Sequence, residues 1–374
     1  MQHPNEDIQN NAAEALRALL CNHFPVGEKG PSTRLQNRVV DKYVSIVRTE
    51  DNAAATRGFS LALGVLPAKL LAPTHEVLDS VLECLCYALA KESLVGGEGD
   101  AETRRNSIIS LVNVCKTVGF KRNENMDTNP SSICPLTRCQ AKKVFDSLLL
   151  AMEDYSTDRR GDVGSWSRIA AMKGLETLAY LAIESSNAFP RNARGIYSSE
   201  PSYEEAADNT PSFKKRAEDF LGNDHSLSSE KCVIPQTYFD EELCASIMSA
   251  LLKQLGEKLD VVRCQAGGCL ERLLTARSPR VPFVSHRDML IKALRVGEES
   301  TNWSNAAVTF PLLMRAVNIE GYFSSILEGI IVSVGGLTES VSKNSSASLF
   351  EWIRVCRQLK ATQKLLQMGE GEKY

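Results

Sequence analysis

The stretch Met152-Glu-Asp-Tyr-Ser-Thr-Asp-Arg-Arg-Gly-Asp-Val-Gly-Ser-Trp-Ser-Arg-Ile-Ala-Ala-Met-Lys-Gly-Leu-Glu-Thr-Leu178 decides how this chain is read. Glu153, Asp154, Asp158, Arg159 and Arg160 crowd into a short polar corner, which Gly161 breaks. A helix follows, opened by Asp162, Val163, Trp166 and Arg168, and its apolar face is too wide to stand alone in water. Such a unit needs a helical neighbour on each side and leaves one polar edge free.

The rest of the chain repeats the arrangement. Apolar residues at helical spacing predict helices over 8–20, 35–47, 53–66, 74–90, 135–152, 240–255, 260–275, 284–294, 305–317, 322–334 and 339–360, with a further one from Asp100 or Thr103 to Val118. Glu50-Asp51-Asn52, Thr74 and Thr338 stand where capping residues belong, and Pro67 ends one helix by supplying no amide. No segment alternates as a strand bounded by hairpin turns. The second helix of each pair opens with acid and arginine: Asp51-Asn52 with Arg57, Asp100 with Arg104 and Arg105, Asp162 with Arg168, Asp260 with Arg263. An arginine in the first turns is placed to bond the acid of an adjacent pair, so a ladder is expected across stacked units. The fold expected is all-α, a HEAT- or armadillo-like helical-repeat superhelix, an α-solenoid of helix pairs stacked right-handedly.

The array is expected in two halves, 1–185 and 231–360, with a flexible tail at 361–374. Between the halves, 186–230 contains only six Leu, Ile, Val or Phe among 45 residues. That composition buries too little surface to offset ordering entropy, so a disordered insertion is expected, with a short helix at Ser212 to Leu221.

Composition narrows the function. Net charge is −3, with no long basic run, so binding driven by nucleic-acid phosphates is not expected. No apolar run approaches the ~18 residues of a membrane span. Met1 is followed by a polar stretch rather than a signal peptide, and the 11 cysteines read as reduced thiols on helix faces. Gly96-Gly97-Glu98-Gly99 lacks the lysine of a P-loop. The five histidines are scattered, and Cys134 with Cys139, like Cys264 with Cys269, lacks ligand spacing. Carboxylates of an exposed corner keep ordinary pKa values and make poor catalysts. No catalytic residue, cofactor or metal is expected, and the chain reads as a binding scaffold rather than an enzyme.

Four blocks carry a resemblance. The run Arg57-Gly-Phe-Ser-Leu-Ala-Leu-Gly-Val-Leu-Pro67, the corner from Met152 to Arg168, the turn Asn302-Trp303-Ser304, and Gly335 to Ser340 with Ser348 to Glu351 beyond it resemble the tubulin-folding cofactor D family in order and spacing. The resemblance covers Thr33 to Trp352 and only a C-terminal portion of the family's longer sequence. It implies a cytoplasmic, microtubule-associated chaperone that holds β-tubulin on a curved repeat scaffold. It further implies work with other tubulin-folding cofactors on the αβ-tubulin dimer, promotion of GTP hydrolysis by tubulin, and binding of a small Arf-like GTPase. A non-catalytic fragment and a generic helical-repeat adaptor are the alternatives.

Partner-binding candidates are Asp154, Asp158, Arg159, Arg160, Asp162, Trp166, Arg168 and Trp303. Capping and the ladder also account for Asp162 and Arg168. Arg159 and Arg160 precede the helix without a local duty and suit an acidic partner. Trp166 is read as core or as a hot spot at the repeat edge, and Trp303 as a partly exposed or a packed turn residue.

Overall fold

The computed structural model describes residues 1–23, 33–94, 100–120, 133–186, 237–297, 301–336 and 338–370. The insertion expected at 186–230, Ser186 excepted, lies outside them. Among the described residues there are fourteen helices and one minimal hairpin.

The first helices are α1 (Glu6–His23), α2 (Thr33–Thr49), α3 (Ala53–Gly64), α4 (Ala68–Leu71), α5 (His75–Leu94) and α6 (Ala101–Val118). After α7 (Arg138–Ala151) come β1 (Thr157–Asp158), β2 (Gly161–Asp162) and α8 (Gly164–Ser186). Then follow α9 (Glu241–Leu255), α10 (Asp260–Thr275), α11 (Arg287–Leu294), α12 (Ala306–Ala316), α13 (Phe323–Val334) and α14 (Glu339–Glu370).

The helices pack in two rows. One runs α2, α5, α7, α9, α13, each against the next; the other runs α1, α3, α6, α8, α10 in the same way. The cross-contacts are α2 with α3, α5 with α6, α7 with α8 and α9 with α10, so each pair is one repeat. This is the helical-repeat solenoid expected from the spacing. Leu175, Leu178 and Ala179 of α8 are buried within a continuous apolar core that also takes in Leu111 and Leu148. Each large aliphatic side chain so buried contributes about 1.5–3 kcal/mol.

Local chemistry sets the helix starts. Asn52 accepts from the amides of Ala54 and Ala55, Asp100 from Thr103, and Asp240 from Leu243. Thr137 and Gln140 form a reciprocal capping box, so α7 begins at Arg138 rather than at Pro135. The last helix runs to Glu370, past the Lys360 boundary expected for it.

Asp260 departs from its expected place. It is the first residue of α10, its Oδ1 accepts from the Val261 amide, and no side chain caps that helix.

Candidate partner-binding site

The polar corner is built by a tight turn. Asp158 pairs with Gly161 and Thr157 with Asp162 in an antiparallel ribbon, with Arg159 and Arg160 at its tip. Asp158 accepts from the Arg160 amide at 2.7 Å, and Gly161 takes φ +102, where a side chain would be strained. Asp at the first position and Gly at the fourth is a β-turn signature that was available in the sequence. The ribbon places the two arginines just before the start of α8.

Behind the tip the corner closes on buried arginines. Asp154 Oδ2 accepts from Arg104 Nε at 2.8 Å, and Arg104 also donates to Ser156 Oγ. Asp154 Oδ1 accepts from the Ser156 hydroxyl and amide at 2.6 and 3.1 Å. Burial pushes the Asp154 carboxyl up, but the Ser156 hydrogen bonds and the Arg104 charge outweigh it and hold the group below its ordinary value. Arg168 is fully buried; it donates to the Asp154 carbonyl at 2.5 Å and to both oxygens of Asp162 at 3.2 Å. Asp162 Oδ1 also accepts from the Ser165 amide at 3.0 Å, which caps α8. Gly164 lies so close to the Asp154 carbonyl that a Cβ there would collide with it.

The expected ladder is present. Arg57 reaches Asp100 at 2.8 Å, Arg104 reaches Asp154, and Arg168 reaches Glu257 at 3.7 Å. Each joins a second-row helix to the acid before the next one. Arg263, the fourth, pairs with no carboxylate among the described residues: it donates to the carbonyls of Glu257, Lys258 and Ser304 at 2.9, 2.8 and 2.6 Å. The Asp162–Arg168 pair lies within one unit, and Glu257, which precedes α10, is the acid that carries the ladder across. Burial pushes the Glu257 carboxyl up.

The candidates therefore separate by place. Asp154, Asp162 and Arg168 lie inside the seam, with side-chain exposures of 6, 7 and 0%. Trp303 is a packed residue, 4% exposed: its ring lies against Gly267, and Nε1 donates to Glu271 at 3.4 Å. Only a glycine at 267 leaves room for that ring.

Asp158, Arg159 and Arg160 are exposed, and Trp166 is half-buried beside them. Arg160 does have a local duty, contrary to its sequence reading. It pairs with Asp158 at 2.7 Å and with Glu102 of α6 at 2.5 Å, and its guanidinium lies 4.8 Å from the Trp166 ring centre. Its hydrogen bonds hold the Asp158 carboxyl below its ordinary value. Arg105 also lies over Trp166, at 5.6 Å. Among the described residues Arg159 forms no ion pair. The exposed part of the site is thus an arginine- and tryptophan-bearing edge built from the tip and from α6 and α8, in which Asp158 and Glu102 balance Arg160. Glu102 was missed in the sequence and Arg105 was read only as a ladder arginine, because which residues of α6 meet α8 depends on how the helices cross.

Among the described residues no group of three or more His, Cys, Asp or Glu is placed to hold a metal ion, and no helix is long and apolar enough to cross a membrane.

Residues 245–370 match the family model described as tubulin folding cofactor D C terminal. The chain is 25% identical over 358 residues to tubulin-specific chaperone D of Dictyostelium discoideum, which covers 94% of this chain. The chain spans 22% of the length of that relative. Both findings bear out the resemblance to tubulin-folding cofactor D. The family match begins inside α9, so the corner lies before it.

Proposed function

We propose that this chain, as a relative of tubulin-folding cofactor D, is a section of a helical-repeat scaffold that holds tubulin, β-tubulin in particular. It works in the assembly or disassembly of the αβ-tubulin dimer alongside other tubulin-folding cofactors and a small Arf-like GTPase. Any effect on GTP hydrolysis falls on the partner, and the place of work is the cytoplasm, next to microtubules. The likeness to the Dictyostelium chaperone carries this reading. The contact we assign is the edge formed by Asp158, Arg159, Arg160 and Trp166, with Asp154, Asp162, Arg168 and Trp303 holding the repeats that present it. Arginine and tryptophan at a repeat edge suit an acidic partner surface, since a planar guanidinium matches carboxylates and an aromatic ring adds apolar area.

The test is capture of native tubulin by the purified chain, with circular dichroism to confirm folding. Arg159→Glu/Arg160→Glu should lower capture about ten-fold. Unchanged capture by a folded double variant would remove these residues from the interface.

A second reading has its own observation. Ile8 and Leu19 of α1 are 47 and 49% exposed, and Phe350 and Leu359 of α14 are 65 and 59% exposed. Repeat arrays need polar faces at their ends, so such helices suit a piece of a longer scaffold that binds clients only with further repeats. A chain that folds and captures no tubulin would favour this reading.

A further inference from the structure

On each row a groove runs between neighbouring helices. The groove between α7 and α9, about 200 Å³, is lined by Arg138, Lys142, Asp146, Asp240 and Glu242, and Arg138 already pairs with Asp240 at 3.4 Å. Both signs of charge are present there and partly satisfy each other.

The groove between α6 and α8, about 310 Å³, is different. Its floor is apolar: Ile109, Val112, Ile169 and Ala170. Ile109 keeps 38% of its surface in water. A Cβ on Gly174 would stand 2.7 Å from Val112 Cγ2, so the two helices are in close contact at that point. Among the described residues the lining includes two cations, Arg105 and Lys173, and no acid. Trp166, with Arg105 and Arg160 over its ring, forms one wall. Lys173 is exposed and forms no ion pair among the described residues. Arg105 already holds a carboxylate from another element, Glu6 of α1, at 2.7 Å, and half of the Glu6 side chain remains in water.

We propose that this groove receives an extended acidic segment of a partner protein. One apolar side chain of the segment lies on Ile109 and Ile169, and flanking carboxylates meet Lys173 and Arg105. Charge complementarity selects this occupant: Lys173 has no ion pair among the described residues and Arg105 holds only the half-exposed Glu6, so the apolar floor beside them favours an apolar anchor next to acids. The proposal rests on the reading that the α8 edge faces the partner, because Trp166 belongs to both.

The test uses the full chain and a fluorescent peptide of sequence Glu-Asp-Glu-Leu-Glu-Asp-Glu, followed by anisotropy. A Gln-Asn-Gln-Leu-Gln-Asn-Gln peptide is the neutral control. The acidic peptide should bind and the neutral one should not. Lys173→Glu and Ile109→Glu, both at exposed positions, should each weaken binding about ten-fold with unchanged melting. Absence of acidic-peptide binding to the unaltered chain, equal binding of both peptides, or full binding by both folded variants would each overturn the proposal. Tubulin capture measured in parallel separates the two readings. Capture without peptide binding removes the groove and leaves the scaffold; peptide binding without capture removes tubulin and leaves the groove.

Discussion

The joints on either side of α10 do the same job with different chemistry. At the joint before it, Arg168 sits among Asp162, Glu257 and the Asp154 carbonyl. At the joint after it, Arg263 occupies the matching place and is held by three carbonyls, with Phe310 beneath its guanidinium at 5.4 Å. Backbone oxygens bond the terminal nitrogens of Arg263 as the Asp162 carboxylate and the Asp154 carbonyl bond those of Arg168, and Nε is left without a partner among the described residues at both joints. What differs is the consequence of losing the arginine. Carboxylates left behind in a closed seam lose a buried counter-charge, whereas carbonyls left behind are merely unpaired dipoles.

That difference sets the largest expected effect. Arg168→Met should cost about 3–5 kcal/mol, because Asp162 and Glu257 lose their buried counter-charge. Arg263→Met should cost less, about 1–3 kcal/mol, the range for unsatisfied neutral groups. Urea unfolding followed by circular dichroism reads both, and equal losses would mean that the charge at the first joint contributes nothing.

Acidity sharpens the same contrast inside the first joint. Asp154 has a folded pKa below the unfolded value, so its stabilisation is present above the usual carboxylate range, near ~3.9, and is lost as pH falls through the folded pKa. Glu257 has a folded pKa above the unfolded value, so folding is opposed as pH rises from the carboxylate range through the folded pKa. Melting temperatures measured from acid to neutral pH should therefore change oppositely in two variants. Asp154→Asn should reduce the loss seen on acidification, and Glu257→Gln should reduce the loss seen on the way to neutral pH. The same slope in both variants would contradict this assignment.

The smallest effect belongs to the tip. Arg159→Ala removes an exposed side chain without an ion pair among the described residues, so the unfolding transition should stay in place. Arg160→Ala loses Glu102, Asp158 and the stack on Trp166, and should lower the melting temperature slightly, as exposed pairs do. Thermal melts of the two single variants compare them; a larger drop for Arg159 would reverse the ranking.

Much of this was legible in the chain. Helix periodicity, the caps at Asn52 and Asp100, and the arginine ladder are local or near-local patterns. The turn at 158–161 was legible too, from Asp and Gly at fixed offset. Trp303 was not: its burial depends on a glycine 36 residues earlier, Gly267, meeting it across helices. Arg160 was missed for the same reason, since Glu102 is 58 residues away.

By itself, then, the sequence determined that the chain forms helices, where they start, and that acid–arginine steps recur between them, because spacing and capping act within a turn or two of backbone. Only the tertiary structure decided which arginines are sealed in a seam and which stand at an edge. Burial depends on how neighbouring helices cross, and that choice puts Arg168 in the dark and Arg159 in water.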